Sequence, residues 1–257
     1  MSSNVNATNI VELSRSAFIF VYENMTSVMA VDAFLKAEEK KSSGAPPKMS
    51  LTQNRPKTAE LLKKAKYDFV MVDQACMGSM IPQEWLQTLF KEIEDGFTKK
   101  SDLKVFLLSN NNLNNNDLEN CLIAGYDDVF IKPLDMPIVA QKINNITGVE
   151  FSKENQLYFA PITSSVKMAY RYELEGLSEA GAKVLVDEQL KDGEVFTMII
   201  PEFEKFGVKE IVAKTINCTP HQKIKDMFTA NVNFVGIQPN VTKSIRRWMV
   251  EEYIKAK

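Results

Sequence analysis

YDFVMVDQACMG, residues 67–78, is the stretch of sequence that decides the fold of the first half of the chain. It joins an apolar run of β-forming residues to a carboxylate, Asp73, and then to a loop that contains a glycine. A continuous apolar run of this length is typical of a strand that is buried on both faces. Similar runs end at Ser109 and just before Lys132, so the pattern repeats along the chain.

Strand-like runs alternate with helix-like patterns outward from that stretch, between residues 17 and 146. We predict strands at Ala17–Tyr22, Asp68–Val72, Lys104–Leu108 and Asp128–Ile131, and a short one near Met49–Leu51. Helices are predicted to begin near Met25, Thr58, Gln83, Asp117 and Asp135. This alternation predicts a parallel sheet covered by helices on both faces. Residues 37–57 are rich in charges, Ser, Gly and Pro, so a loop insertion is predicted there.

Two details of the predicted helices can be checked against the structure. The first helix carries its apolar side chains on one face, which consists of Met25, Val28, Met29, Ala33 and Phe34. Asp117 is predicted to be the N-cap of a short helix that ends at Gly125.

Polar residues occupy the carboxyl ends of three predicted strands, which is where open α/β sheets bind their ligands. These residues are Asp73, Ser109 and Lys132. A carboxylate can accept a phosphoryl group as the nucleophile, a hydroxyl can donate a hydrogen bond to a phosphoryl oxygen, and a lysine can neutralise its charge. The set therefore predicts a site that handles phosphoryl groups, where modification would create a group with a charge of about −1.5 to −2.

The second half of the chain has a different pattern, which begins after a predicted linker at residues 147–156. Six short β-rich runs follow, separated mostly by turn residues: Leu157–Ile162, Val166–Leu174, Ala182–Val186, Val195–Ile200, Glu210–Asn217 and Asn231–Ile237. This regular spacing predicts a small antiparallel barrel. A helix at Val241–Ala256 is predicted to close a second domain, residues 157–257, and its basic side chains to form a solvated face.

Composition argues against several classes of function. The 257 residues are enough for two domains, and the net charge of −2 gives no general reason to bind nucleic acid or an anionic membrane. Three scattered cysteines and one histidine, His221, make a disulfide framework or a zinc site unexpected. No segment reaches the roughly 20 apolar residues of a membrane span, and residues 1–16 form a polar extension, so a cytoplasmic protein is predicted.

Two further functions are not expected from the motifs in the chain. The C-terminal half has no helix-turn-helix pattern and no dominant basic surface, so DNA binding is not predicted. No complete catalytic motif is present, so we expect a protein that is not an enzyme.

The first half resembles a response-regulator receiver domain in the stretches at residues 67–78, 105–110 and 124–143. The resemblance covers residues 17–146 and implies a flavodoxin-like, doubly wound sheet of five parallel strands. It also implies that Asp73 is the phospho-acceptor, Ser109 the switch hydroxyl and Lys132 the site lysine, before a proline that is often cis. The resemblance further implies a Mg²⁺ ion held by Glu23, Asp73 and the backbone carbonyl of Ala75.

Three residues depart from the receiver pattern. The family carries an acidic pair after the first strand, and here Tyr22 precedes Glu23. Because a hard cation prefers several oxygen ligands, losing one carboxylate should weaken Mg²⁺ binding. Val129 stands where the family has a switch aromatic residue, and Met77 replaces the usual proline before Gly78.

The second half resembles a PilZ domain in GLSEAGAKVLVDEQLKDGEVFTMII, residues 176–200, in NFVGIQP, residues 233–239, and in the terminal helix. The resemblance implies a six-stranded barrel with a C-terminal helix, in a family of which many members bind cyclic di-GMP. Ser178 and Gly181 match the family's second motif, but Gly176 replaces its acidic or amide residue.

Cyclic di-GMP binding is nevertheless not expected for this chain. The family grips the nucleotide with two arginines before its first strand, and residues 148–163 contain none. A lysine lacks the planar fork of arginine, so Lys153 cannot replace that pair. The alternative interpretation of Ser178 and Gly181 is a turn between two strands.

The leading functional hypothesis is a bacterial signal-transduction protein of the two-component type. Its receiver-like input would be phosphorylated at Asp73 in the presence of Mg²⁺, and its PilZ-like output would act through protein–protein contacts. The expected partners are a histidine kinase and a downstream effector. One alternative is a scaffold that docks partners without switching, and another is a cyclic di-GMP effector. The sequence leaves the oligomeric state open.

Overall fold

The first half of the chain is a parallel sheet with helices on both faces. The computed structural model describes residues 17–41, 47–110, 113–149, 164–167 and 171–255. The strands of the first half are β1 (Ala17–Val21), β2 (Lys48–Thr52), β3 (Phe69–Asp73), β4 (Lys104–Ser109) and β5 (Asp128–Ile131). Its helices are α1 (Met25–Lys41), α2 (Arg55–Lys64), α3 (Pro82–Glu92), α4 (Asn115–Ala124) and α5 (Met136–Thr147).

The five strands are parallel and lie in the order β2-β1-β3-β4-β5. This is the flavodoxin-like order of doubly wound sheets, so the predicted fold class of the first half is confirmed. Successive side chains of a strand point to opposite sides of the sheet. Because the strands are continuous apolar runs, both faces of the sheet are apolar. Ile19, Val70 and Val105 lie in the core on one face, and Phe18, Phe69 and Phe106 lie in the core on the other.

The range predicted to be a loop insertion contains more regular structure than expected. Helix α1 continues to Lys41, β2 occupies Lys48–Thr52, and α2 begins at Arg55. Residues 42–46 lie outside the described part of the chain. The loop prediction was therefore wrong over most of its range, because α1 extends into it and β2 pairs along its whole length with β1. The short strand predicted near Met49–Leu51 is confirmed.

The predicted apolar face of α1 was right for Val28, which is buried, and for Phe34, which packs against the core, and it was wrong for the two methionines. Val28, Val31 and Leu35 are the buried side chains, whereas Met25 is 52% exposed and Met29 is 65% exposed. The spacing of 28, 31 and 35 is the true helical stripe, and the long methionines next to it face outward.

The predicted N-cap of α4 was off by three residues. Asn114 caps the helix, since its side chain accepts a hydrogen bond from the Asp117 amide at 2.9 Å. Asp117 lies instead in the first helical turn, where a carboxylate also interacts favourably with the helix dipole. The predicted end of the helix at Gly125 is confirmed.

The second half is an antiparallel sheet with a terminal helix. Its strands are β6 (Ser164–Lys167), β7 (Arg171–Leu177), β8 (Gly181–Val186), β9 (Val195–Met198), β10 (Ile211–Pro220) and β11 (Phe228–Val235), and they lie in the order β6-β7-β8-β11-β10-β9. A short 3₁₀ helix spans Pro201–Phe206, and α6 spans Pro239–Lys255. The run predicted as one strand at Val166–Leu174 is in fact divided between β6 and β7, which pair with each other.

The predicted barrel is not confirmed by the described residues. In that part of the chain β6 and β9 are the two edges of the sheet, and no pairing joins them. The strand predicted at Leu157–Ile162, most of the predicted linker and the polar extension at residues 1–16 lie outside the described residues. Closure of the sheet therefore stays a prediction.

The core of the second half is built around aromatic side chains. Phe203 contacts Phe234 and Trp248 in edge-to-face geometry, with ring centroids 6.0 and 6.4 Å apart. These contacts fix the 3₁₀ helix and α6 on the same side of the sheet. None of the helices in the described ranges combines the length and the apolar character that crossing a membrane requires.

The two halves pack against each other through strand β5. Val212 and Val235 of the second half belong to the same apolar cluster as Tyr126 and Val129 of the first. The amide of Gly236 donates a hydrogen bond to the carbonyl of Val129 at 3.2 Å. Because β5 is the edge of the first sheet, this contact covers backbone groups that the sheet itself leaves unpaired.

A buried lysine joins the same interface. The ammonium group of Lys142 lies 3.1 Å from the carboxylate of Asp128 and donates a hydrogen bond to the carbonyl of Phe234 on β11. Lys142 and Asp128 are both buried. Burial raises the pKa of the Asp128 carboxyl, and the nearby Lys142 opposes that rise. Both halves therefore contribute partners to this buried pair.

Gly236→Ala should destabilise the protein more than Gly193→Ala. Both glycines have a positive φ, +65° and +81°, so both substitutions strain the backbone. A Cβ at Gly236 would also lie 2.5 Å from a methyl carbon of Leu118 on α4, whereas one at Gly193 would meet open space. We expect an additional loss of about 1–3 kcal/mol for Gly236→Ala, measured by denaturant unfolding.

A Leu118→Ala background provides the control for that clash. There the difference between the two glycine substitutions should shrink, because the side chain that would collide is gone. Equal losses for Gly236→Ala and Gly193→Ala in the wild-type background would contradict the close approach of the two halves.

Candidate functional site

Three predicted site residues lie at the carboxyl edge of the parallel sheet. Asp73 is the last residue of β3, Ser109 is the last residue of β4, and Lys132 follows β5 directly. Asp73 pairs in register with Leu108, and Ser109 pairs with Ile131, so the three positions occupy nearly the same level of the sheet. The parallel pairing thus brings residues 59 positions apart in the chain into one cluster.

Asp73 and Lys132 form a buried ion pair. The ammonium group of Lys132 donates to Oδ2 of Asp73 at 2.5 Å, and Oδ1 of Asp73 accepts from the amide of Ala75 at 3.2 Å. Asp73 is 0% exposed, and the Lys132 side chain is 15% exposed. The cation and the backbone donor supply the Asp73 carboxylate with partners in place of the water that burial removes. The Lys132–Pro133 bond is cis, as the resemblance implies.

Ser109 is held by a residue that the sequence analysis missed. Its hydroxyl donates a hydrogen bond to the side-chain oxygen of Gln74 at 2.7 Å, and its carbonyl accepts from the amide of Lys132 at 2.9 Å. Gln74 opens the 3₁₀ turn Gln74–Met77 that follows β3. Its hydrogen bond joins residues 35 positions apart, which no local sequence pattern predicts. The position of Gln74 next to Asp73 is the signal in the sequence that could have pointed to it.

The predicted metal ligands are of the right chemical type but few in number. Glu23 is exposed just after β1, the strand that pairs with β3. The field of Glu23 acts on the same loop as that of Asp73, because both carboxylates raise the pKa of the Cys76 thiol. Within the described residues, no three His, Cys, Asp or Glu side chains are grouped to hold a metal. Glu23, Asp73 and the Ala75 carbonyl fit Mg²⁺ as oxygen donors, with fewer charges than a strong site needs.

Cys76 is a poor candidate for a reactive thiol, although it lies in the site loop. Burial, followed by the charges of Asp73 and Glu23, raises the pKa of its thiol to about 12, and Lys132 counteracts only part of that rise. The thiol is therefore neutral near pH 7, whereas a nucleophilic cysteine reacts as the thiolate.

Ser178 and Gly181 lie in a buried turn between β7 and β8. The Ser178 hydroxyl donates to the carbonyl of Gly181 at 3.0 Å and accepts from its amide at 3.0 Å. A Cβ at Gly181 would lie 2.0 Å from the carbonyl oxygen of Val232, so the glycine is required by the close approach of β11. The turn interpretation of these two residues describes their geometry, and no ligand is needed to explain them.

Arg246 of α6 links this turn to the loop that follows β5 and carries Lys132. Its guanidinium group forms two hydrogen bonds with the Glu179 carboxylate, in the turn, and lies 3.1 Å from Asp135, three residues after Lys132. The prediction of a solvated basic face on α6 was wrong for Arg246. Arg247, by contrast, is 84% exposed and forms an ion pair with Glu251 of its own helix.

The single histidine, His221, supports a turn and is not part of a catalytic pair. It lies beside an open polar cleft on the second sheet, where its Nε2 is 2.8 Å from the carboxylate of Glu175. Its Nδ1 accepts hydrogen bonds from the backbone amides of Lys223 and Ile224, so Nε2 carries the proton. Neither ring nitrogen is left to act as a base toward a nucleophile.

Comparison with known proteins shows a likeness of fold over about half of the chain. No protein-family model matches the sequence, and no curated protein is a significant match. Many solved structures are similar. Three examples are the receiver domain of a sensor histidine kinase from Pseudomonas aeruginosa PAO1, with a magnesium ion in its active site cleft, a response regulator from Thermotoga maritima, and the receiver domain of a Saccharomyces cerevisiae response regulator in complex with a histidine phosphotransfer protein.

The three likenesses are weak in sequence and in superposition. The identities are 18%, 22% and 13%, and the TM-scores are 0.40, 0.40 and 0.42. The aligned parts cover 52%, 52% and 55% of this chain and 98%, 98% and 94% of the other chains. Such values say nothing about the function of this chain. The flavodoxin-like fold of the first half rests on its own strand order, and the PilZ-like second half stays a prediction.

Lys132→Met should destabilise the protein by about 3–5 kcal/mol, because it leaves the buried Asp73 carboxylate without its cation. Lys36→Met is the matched control. Lys36 pairs with Asp32 on the helix surface with 69% of its side chain exposed, and its loss should leave the unfolding free energy nearly unchanged. Denaturant unfolding at neutral pH measures both variants.

A second substitution tests the cause of that loss. Adding Asp73→Asn to Lys132→Met removes the unpaired charge, so it should recover part of the lost stability. If the double variant is less stable than Lys132→Met, then unpaired charge on Asp73 is not the reason.

Proposed function

We propose that the protein transmits a signal by accepting a phosphoryl group on Asp73 in the first half and relaying that change to the second half. The observation that carries the proposal is the cluster at the carboxyl edge of the parallel sheet. It combines a nucleophilic carboxylate, a lysine bonded to it and a buried hydroxyl at the end of the next strand. This is the set of groups that phosphoryl transfer to a carboxylate requires.

Each of the three groups has one role in the proposed reaction. An oxygen of the Asp73 carboxylate attacks the phosphorus of a phosphorylated donor, such as the phosphohistidine of a kinase. The bond from phosphorus to the donor breaks, and an acyl phosphate forms on Asp73. The Lys132 ammonium, which pairs with the free Asp73 carboxylate, then balances the negative charge of the phosphoryl group. The Ser109 hydroxyl donates a hydrogen bond to a phosphoryl oxygen.

A divalent cation would assist this transfer. Glu23, Asp73 and the carbonyl of Ala75 would hold Mg²⁺, and the cation would neutralise the phosphoryl oxygens. Because Tyr22 takes the place of a second carboxylate in the loop after β1, we expect millimolar Mg²⁺ to be required.

The contacts between the halves support an output within the same chain. Lys132 follows β5, whose carbonyl at Val129 binds the amide of Gly236. Three residues beyond Lys132, Asp135 binds Arg246, which also binds Glu179 in the second half. A shift of Lys132 toward a phosphoryl group would therefore pull on the loop that Arg246 ties to the second half.

The second half is proposed to act as a PilZ-like barrel that contacts a protein effector. Its antiparallel strand order and the terminal helix packed on it support this assignment. Cyclic di-GMP is not proposed as its ligand, because Ser178, Glu179 and Gly181 are buried and engaged in the turn. In this proposal, the protein acts in two-component signalling and does not turn over a metabolite.

A scaffold that docks partners without switching is the second candidate. Asp73 is wholly buried, so a phosphoryl donor reaches it only after the site opens. Val129 is also buried, and its carbonyl is bonded to the second half, where a receiver would place a mobile aromatic side chain. These observations favour a fixed arrangement of the two halves.

Beryllofluoride, a mimic of the phosphoryl group, distinguishes the two candidates. Together with millimolar Mg²⁺ it should raise the melting temperature of the wild type and leave that of Asp73→Asn unchanged. A ligand at 100 times its dissociation constant stabilises by about 2.7 kcal/mol, and each kcal/mol is worth about 2–4 °C in a chain of this size. No rise in the wild type would reject phosphoryl acceptance and leave the scaffold.

Hydrogen exchange tests the relay to the second half. The amide of Gly236 is bonded to Val129 across the interface, so its exchange rate should change when beryllofluoride and Mg²⁺ bind. The amide of Gly193, in an exposed turn of the second half, is the control and should exchange at an unchanged rate. A rise in melting temperature without a change at Gly236 would mean that the signal leaves the first half by another surface.

A further inference from the structure

The hydroxyl of Ser109 already has a partner in the structure, and that partner is next to the proposed acceptor. Ser109 donates to the side-chain oxygen of Gln74 at 2.7 Å, while the neighbouring Asp73 binds Lys132. A hydroxyl has one proton to donate. The bond to Gln74 and a bond to a phosphoryl oxygen on Asp73 therefore exclude each other.

We propose that Gln74 is a positioning residue that holds the Ser109 hydroxyl in a resting arrangement and so sets how readily the Asp73 site switches. The proposal rests on the function proposed above, because it concerns competition for the same hydroxyl. It assigns to Gln74 a role in regulation and not in the transfer itself.

The surroundings of Ser109 make this competition effective. Ser109 is fully buried, so water is not at hand to replace Gln74 as the acceptor. A buried hydroxyl that loses its acceptor bears a desolvation cost. The phosphoryl group must therefore replace the bond to Gln74 and not merely add a new one.

The position of Gln74 on the chain ties this competition to the acceptor. Gln74 is the first residue of the 3₁₀ turn, and Asp73 caps that turn by accepting from the amide of Ala75. A phosphoryl group on Asp73 would thus enter beside the Gln74 side chain. Any movement of the turn that admits it would also move the partner of Ser109.

Substitutions of Gln74 have opposite expected effects. Gln74→Ala removes the competing acceptor, and it should tighten beryllofluoride binding about 3- to 10-fold, which is the range of one net hydrogen bond. Gln74→Glu supplies a charged acceptor that holds the hydroxyl more strongly and repels the anion, so it should weaken binding. A role limited to folding would not produce this reversal of sign.

The experiment is a titration of the full chain with beryllofluoride at saturating Mg²⁺, in which isothermal calorimetry measures the binding affinity. The variants are wild type, Gln74→Ala, Gln74→Glu, Ser109→Ala and the double variant Gln74→Ala/Ser109→Ala. In the Ser109→Ala background, Gln74→Ala should leave the affinity for beryllofluoride unchanged, because the hydroxyl for which the two acceptors compete is absent. Circular dichroism verifies that each variant is folded.

The outcomes separate this proposal from the function on which it rests. Binding by the wild type that becomes tighter in Gln74→Ala, with no such gain in the Ser109→Ala background, supports it. Unchanged or weaker binding by Gln74→Ala, with a wild type that binds, overturns the role of Gln74 and leaves phosphoryl acceptance intact. Absence of binding in every variant rejects both.

Discussion

The edge strand β5 is the constraint on which the rest of the structure depends. An edge strand leaves a row of backbone groups without partners, and here the second half supplies one, through Gly236. The ammonium group of Lys142 forms an ion pair with Asp128 of its own half and donates a hydrogen bond to the Phe234 carbonyl of the other half. Because Lys142 has partners in both halves, separating the parallel from the antiparallel sheet would leave this buried cation with fewer partners.

The same constraint gives the candidate site its mechanical setting. Asp73 lies on an inner strand of the sheet, but Lys132 lies on the loop that leaves the edge strand. The ion pair between them therefore connects the centre of the first half with its boundary. Arg246 extends the connection, since it binds Asp135 on that loop and Glu179 beyond it. The loop from Lys132 to Asp135 thus connects the ion pair of a buried carboxylate with the ion pairs that reach a turn of the second sheet.

Sequence reasoning located the parallel sheet and its carboxyl edge because both are local patterns. An apolar run that stops at a polar residue marks the end of a buried strand wherever it occurs, and Asp73, Ser109 and Lys132 all carry that mark. The missed residues, Gln74 and Arg246, matter through partners far away in the chain, and no periodicity encodes such a pairing. The full length of β2 was missed for a different reason, since its end residues, Lys48 and Thr52, are polar and are ordered by pairing with β1.

The covered edge also bears on how the molecule can be divided. A fragment that ended at residue 149 would carry β5 with a bare edge and Lys142 with a single acidic partner, beside the apolar surface that Val212 and Val235 now cover. Bare edges and apolar patches of this kind pair with other copies of a chain, so such a fragment would tend to self-associate. A fragment that keeps the interactions of the intact protein must therefore contain both sheets.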